Sequence, residues 1–337
     1  MEQSQFSGKS ILITGASGFI GTHLCKQLLK HNAEVHAISR YKQTNLKSSI
    51  RWWQADITDI NTLPTLLSSI QPKYIFNLAG YVNGSRDMSV VLPSFRINLM
   101  GLINLMICAN EIGCERFVTA GSMEEPNQND VASDANSPYS ASKWSASIYG
   151  KMFHNLFNFP FVSLRIFMTY GPGQWDEKKV IPYSTLSLLQ GKALNLTSGQ
   201  RKIDWIFVDD VVDGMVAAAL APDVEGKRID IGSGSSVSIR SVVQMLADII
   251  HPGIDPNYGA LSDRAFEQEP IANVEKTFEM TGWKPKVSLE DGLRQTGHNG
   301  SERRQSTEGR LLKGSRWRAQ DPYHERAHPR HRCGNKI

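Results

Sequence analysis

Residues 9–31 read KSILITGASGFIGTHLCKQLLKH. The run from Lys9 to Thr14 is short and continuously apolar after its basic start, and a glycine closes it at once. Unbroken hydrophobicity of that length predicts a strand buried on both faces, as in a parallel sheet. From Thr22 to His31 the apolar residues Leu24, Leu28 and Leu29 recur at helical spacing, which predicts a helix. Gly15, Gly18 and Gly21 stand between the two elements. A tight turn with close backbone approach needs residues without a Cβ, and the helix that follows offers free N–H groups to a pyrophosphate. Glycine spacing alone is weak evidence; the strand before and the helix after make it an expected dinucleotide-binding turn built from Gly15, Ser17, Gly18, Phe19, Ile20 and Gly21.

The same alternation continues outward from this unit. Strands are predicted at 34–39, 74–78, 116–120 and 161–167, with helices over 62–70, 96–113 and 140–157. Such βαβ alternation predicts an α/β fold, a doubly wound parallel (Rossmann) sheet covered by helices on both faces. After Gly171-Pro172-Gly173 the pattern becomes mixed, as expected of a smaller C-terminal α/β lobe for substrate. The expected division is a nucleotide-binding domain over 1–168 plus about 204–231, a substrate lobe over about 169–203 and 232–296, and a tail over 297–337.

The chain has 337 residues, 40% hydrophobic and 21% charged. That composition excludes a disordered chain or a disulfide-stapled mini-protein. The net charge of +4 is misleading, because residues 297–337 hold ten Lys/Arg against four Asp/Glu. The body is near-neutral, which argues against an intrinsic nucleic-acid binder; the basic tail is expected to be solvated and disordered. No uninterrupted apolar run approaches the roughly 20 residues of a membrane span. The N-terminus has no basic and apolar signal-peptide pattern, and the four cysteines show no metal or redox spacing. A reduced, cytoplasmic setting is the expectation, with no metal.

Two further patterns carry chemistry. At the end of the second strand, where NAD binders commonly place a carboxylate for the ribose hydroxyls, the chain reads Ser39-Arg40. A guanidinium there suits a 2′-phosphate, so NADP(H) is expected ahead of NAD(H). Tyr139 and Lys143 are four residues apart and share a helix face. An ammonium beside a phenol favours the phenolate, and such a tyrosine can exchange protons with a sugar or alcohol oxygen. The pair follows Gly121-Ser122, at a strand's carboxyl end where ligands gather; Ser122 is placed to hydrogen-bond the reacting oxygen.

Taken in order, GASGFIG, Asp56-Ile57, Asn77-Leu78-Ala79-Gly80, Asn98, Ser122, Tyr139-x-x-x-Lys143, Arg165 to Gly173, Val208-Asp209-Asp210 and Gly282-Trp283-Lys284-Pro285 resemble an extended short-chain dehydrogenase/reductase of the nucleotide-sugar epimerase/dehydratase/reductase group. The resemblance covers about residues 8–295. It implies a Rossmann domain holding NAD(P) and a lobe holding a nucleotide-linked sugar. It implies Tyr139 as catalytic acid/base, Lys143 on the nicotinamide ribose and Ser122 orienting substrate. Asp56 and Ile57 would flank adenine, with Leu78, Ala79, Gly80 and Asn98 lining the cofactor. It also implies a homodimer through helices about 94–112 and 139–157.

Two departures from the group's pattern bear on activity. Where 4,6-dehydratases carry Asp-Glu, this chain has Met123-Glu124, so the acid that protonates a leaving hydroxyl is missing while Glu124 remains a candidate base. The usual Arg-Asp aligns on Ile203-Asp204, which removes the arginine that grips the diphosphate; Arg201, Lys202 and Arg264 are the candidates to replace it. Met123, Arg201 and Arg264 thus join Ser122 as expected substrate contacts. The leading expectation is an NADP(H)-dependent reductase of a 4-keto-6-deoxysugar nucleotide. The alternative is an epimerase or 4,6-dehydratase that keeps its cofactor bound with no net redox change. A non-catalytic cofactor-binding scaffold is the expectation from another class.

Overall fold

A computed structural model describes residues 5–43, 49–126, 134–174, 176–263 and 268–298. The first half runs β1 (Ser10–Thr14), α1 (Phe19–Lys30), β2 (Glu34–Ser39), β3 (Arg51–Gln54), α2 (Leu63–Ile70), β4 (Tyr74–Asn77), α3 (Val91–Ser94), α4 (Gly101–Ile112), β5 (Arg116–Ala120), α5 (Pro138–Phe157) and β6 (Phe161–Ile166). The second half runs β7 (Met168–Tyr170), α6 (Val180–Leu189), β8 (Asn195–Leu196), β9 (Lys202–Phe207), α7 (Val208–Leu220), β10 (Arg228–Ile231), β11 (Ser236–Ser238), α8 (Ile239–Ile250), β12 (Asn257–Tyr258) and α9 (Val274–Thr281). Residues 289–298 form a last helical stretch.

The main sheet has the order β10-β6-β5-β4-β1-β2-β3, and every pairing in it is parallel. Period-two geometry explains why its strands read as unbroken apolar runs. Ile11 and Ile13 of β1 point into one core with Leu24 and Leu28 of α1 and Val211 and Met215 of α7. Leu12, between them, points into a second core with Leu67 of α2, Leu102 and Leu105 of α4, and Phe117 and Phe161. Each strand therefore feeds two helix layers, and the expected doubly wound fold is what the chain adopts.

The small lobe is built on a three-stranded sheet, β11-β9-β7, with β12 and β8 pairing beside it. In the returning segment, β10 joins the main sheet beside β6 and α7 packs on β5, β6 and α1, whereas β9 lies in the small sheet between β7 and β11. β6 and β7 are separated by Phe167 alone. That residue is buried and donates its N–H to Ile231 O at 2.9 Å.

The helix expected from Arg96 starts earlier. The chain is helical from Met88 to Ile112, passing through a π-helical turn at Phe95–Met100. Pro93 falls in the opening turn of α3, where its missing N–H costs no intrahelical bond. This 25-residue stretch is apolar and long enough to cross a bilayer by length and composition, which the unbroken-run test did not register. Here it packs on α2 and α5, burying Leu102, Leu105, Met106 and the polar Asn98 and Asn104. Of the tail expected over 297–337, Gly297 and His298 complete the last helical stretch; the rest lies outside the described residues.

Candidate active site

The carboxyl ends of β1, β4 and β5 form the floor of the site. Thr14 Oγ1 donates to Asn77 Oδ1 at 2.6 Å, Asn77 Nδ2 donates to Thr119 Oγ1 at 3.2 Å, and the Ala79 N–H reaches Thr14 Oγ1 at 3.1 Å. This buried chain of hydrogen bonds fixes the strand ends relative to one another.

Above it lies the glycine turn. Gly15 has φ +71°, and a Cβ there would meet the main chain of Leu78 at 2.6 Å. A Cβ on Gly21 would lie 2.2 Å from Gly15 O. Both positions admit only glycine, for backbone shape at the first and close packing at the second. Gly18 caps α1 without any side-chain hydrogen bond, so the first-turn N–H groups face outward beside exposed Ser17. Phe19 stacks edge-on against His23, and Ile20 is half-buried. A cradle that Cβ atoms would fill, ending on an uncapped helix N-terminus, fits the pyrophosphate of a dinucleotide.

The remaining expected cofactor residues follow β2, β3 and β4 or sit on the π turn. Arg40 is exposed just past β2, its guanidinium 5.7 Å from the Tyr41 ring. Asp56 turns back on its own chain, accepting the Thr58 N–H and hydroxyl at 2.9 Å each. Ile57 is buried in the second core. Leu78, Ala79 and Gly80 follow β4 directly, and a Cβ on Gly80 would sit 3.5 Å from Lys143 Nζ. Asn98 spends its amide on the protein: Nδ2 donates to Tyr81 O and Ser142 Oγ, and Oδ1 accepts the Tyr81 N–H. It pins the loop after β4 against α5, from within the π turn.

The chemistry-bearing side chains converge from β5 and α5. Ser137 caps α5 by accepting the Ser140 N–H, and Pro138 takes the first helical position. Those residues fix the helix start and so place Tyr139 in its first turn and Lys143 one turn on. Ser122, two residues beyond β5, hydrogen-bonds the Tyr139 hydroxyl. The expected lowering of the tyrosine's pKa is reversed here. Burial pushes the Tyr139 phenol up, the Ser122 hydrogen bond opposes it, and Glu124 and Glu125 push further upward. Lys143 does not offset this, because its ammonium donates to Ala120 O at 2.7 Å and is itself brought down to about 8 by burial.

From this corner a cleft of about 1030 Å³ runs between the lobes, lined by Met123, Glu124, Arg86, Arg201, Ile203 and Trp205 among others. Met123 is 4% exposed; Glu124 is half-buried. Arg201 donates to Gln268 O at 2.9 Å. Arg264 lies outside the described residues. Asp204 is fully buried and accepts the main-chain N–H groups of Ser233, Gly234 and Ala272, so it ties the loops after β10 rather than meeting a ligand. Sequence reasoning missed Trp205 and Arg86, which no local pattern marks, and Glu125, whose signal was its place in a Gly-Ser-Met-Glu-Glu run at a strand end. Among the described residues no group of three or more His, Cys, Asp or Glu is placed to hold a metal.

A chain with this sheet, this turn and this Ser–Tyr–Lys corner has the make-up of a dinucleotide-dependent enzyme. The NAD dependent epimerase/dehydratase family matches residues 11–232, and the chain belongs to it. It is 29% identical over 304 residues to the UDP-glucose 4-epimerase of Mycolicibacterium smegmatis, covering 85% of this chain and 96% of that one. Its fold resembles an epimerase from Methanothermobacter thermautotrophicus, with TM-score 0.83 at 23% identity over 91% of this chain and 96% of that one. It also resembles the UDP-glucuronic acid 4-epimerase of Bacillus cereus, solved with UDP-glucuronic acid and NAD, with TM-score 0.77 at 26% identity over 87% and 99% of the two chains.

Proposed function

We propose that the protein is a 4-epimerase of a UDP-linked sugar that works on a retained nicotinamide cofactor with no net redox change. Of the activities left open by the sequence, this closed-cycle reading draws more support from the relatives than the 4-keto reductase does. The observation that carries it is the wall beside Ser122 and Tyr139. Met123 occupies it with its N–H tied to Ile166 O at 2.9 Å and its side chain buried. An apolar residue there cannot protonate a leaving hydroxyl, which disfavours dehydration and leaves inversion at the reacting carbon.

A nicotinamide cofactor, which the glycine turn at Gly15, Gly18 and Gly21 would hold, would supply reversible hydride acceptance at the sugar carbon. The chain's own part is acid–base and positional. Tyr139 exchanges the hydroxyl proton of that carbon at its phenol oxygen. Ser122 Oγ shares the same oxygen through a hydrogen bond and keeps it in reach. Lys143, a helical turn on and held on Ala120 O, would bind the nicotinamide ribose rather than lower the phenol's pKa. NADP(H) is part of the proposal only through Arg40, whose exposed fork suits a 2′-phosphate; the B. cereus relative was solved with NAD.

The proposal includes a homodimer. Phe95, Ile107, Ile148 and Tyr149 are exposed large apolar residues on the π turn, α4 and α5, forming a surface that a second copy would bury.

Purified protein given UDP-glucose or UDP-glucuronic acid should produce the 4-epimer, seen by chromatography or NMR, with no net change in nicotinamide absorbance. Steady NADPH consumption with a 4-keto-6-deoxysugar nucleotide, and no epimer, would restore the reductase instead.

A further inference from the structure

Glu125 belongs to none of the motifs above, yet its side chain is entirely buried. Oε1 accepts the Ser122 main-chain N–H at 2.8 Å. Oε2 accepts the Ser147 hydroxyl of α5 at 2.7 Å, and Ser147 Oγ lies 2.9 Å from Ser163 Oγ of β6. Arg228 Nη1 of β10 stands 3.6 Å from Oε2. One carboxylate thus joins the end of β5 to α5 and to the sheet's far strand.

The backbone explains why Ser122 needs this partner. The N–H groups of Gly121 and Met123 pair with Leu164 O and Ile166 O along β6. Alternation along a strand turns the intervening N–H the other way. On that side β4 has already ended, at Asn77 opposite Thr119, so the Glu125 carboxylate takes the N–H instead. Residue 121 is fixed by the same contact, since a Cβ there would lie 2.4 Å from Glu125 Oε1 and 2.9 Å from Leu164 O.

A buried carboxylate is tolerated when cations and hydrogen-bond donors surround it. Facing Glu125 are Tyr139, Lys143 and Ser147 from α5, Arg165 from β6, Arg228 from β10, and Ser122 of its own turn. Burial pushes the Glu125 carboxyl up; Ser147, the Ser122 N–H, Arg228 and Lys143 pull it back. In the other direction, Glu125 is the charge that raises Lys143 against its own burial.

We propose that Glu125 is a positioning residue of the active site, holding the Ser122 main chain so that its hydroxyl is seated against Tyr139. The effect on turnover rests on the epimerase reading; the effect on Lys143 does not.

The test uses the full chain and three variants. Glu125→Gln keeps an acceptor for Ser122 and removes the charge, Glu125→Ala removes both, and Ser147→Ala removes one of the hydrogen bonds to Glu125 together with the Ser147–Ser163 bond. Lys143 reactivity toward an amine-acylating reagent, followed by peptide mass spectrometry across pH, needs neither substrate nor cofactor. In the wild-type protein half-reactivity is expected near about 8. In Glu125→Gln it should move lower, making Lys143 about threefold more reactive at neutral pH, as a shift of about half a pH unit requires. On UDP-glucose, kcat should fall about tenfold with KM within about twofold, the signature of lost positioning rather than lost substrate contact. Glu125→Ala should lose more. Wild-type Lys143 reactivity and wild-type kcat in a folded Glu125→Gln protein overturn the proposal. Should neither Glu125 variant fold, Ser147→Ala carries the same comparison: a smaller shift in the same direction supports it and no shift overturns it. A wild-type protein that epimerises nothing defeats the epimerase reading, and Lys143 reactivity then decides Glu125 alone.

Discussion

Lys143 reaches across from α5 to the end of β5, where its ammonium donates to the carbonyl of Ala120 at 2.7 Å. It is therefore anchored on the strand edge from which Ser122 follows. An amine in so dry a place carries its charge reluctantly, and burial brings it down to about 8 from 10.5.

That depression has a thermodynamic consequence. The folded protein binds the Lys143 proton more weakly than the unfolded chain does, so the group opposes folding fully below about pH 8. The penalty fades as pH rises from there toward the unfolded value of 10.5, because the unfolded state loses its advantage in bound protons. Lys143→Met should then be more stable than wild type at neutral pH by on the order of 2 kcal/mol, less the cost of leaving Ala120 O unpaired. Denaturant unfolding at neutral and alkaline pH checks it; a gain that grows with pH has the wrong sign.

Tyr139→Phe removes only the hydroxyl that meets Ser122. Turnover should fall by about 10²–10⁴-fold, the usual contribution of a positioned acid–base group. Nicotinamide cofactor binding, measured by calorimetry, should hold. Loss of binding and turnover together would point to a packing role.

Gly15→Ala tests the cradle. The new methyl would be 2.6 Å from the main chain of Leu78, at φ +71°. Strain of at least about 2 kcal/mol is expected, with a lower melting temperature and loss of measurable nicotinamide nucleotide binding. Gly113→Ala is the control, because nothing lies within 4 Å of its Cβ although φ is +74°; it should show the strain without the binding loss.

Phe95→Glu with Ile148→Glu places charges on two residues that are 48% and 50% exposed. If the apolar face of the π turn and α5 joins two copies, sedimentation should show a dimer for wild type and a monomer for the double variant. A wild-type monomer at all concentrations removes the dimer from the proposal.

Much of this was legible because the first unit obeys local rules. The apolar run of β1, the glycines after it and the spacing of Leu24 and Leu28 each answer to one short-range requirement, and those requirements agree. The Tyr139–Lys143 pair was legible for the same reason, since helix geometry alone puts the two on one face. What escaped depends on contacts far apart in the chain. Glu125 matters through Arg228, over a hundred residues on, and Trp205 reaches the cleft only because β9 pairs with β7 and β11. The π turn that delivers Asn98 follows from packing against α5 rather than from composition. The direction of the Tyr139 shift was misread because sequence spacing shows the neighbouring amine but not how dry the phenol's surroundings are.

The strand that leaves the large sheet as β6 enters the small one as β7 after Phe167, so the two sheets are joined there by consecutive lengths of a single inextensible peptide. They can swing about that residue but cannot part there.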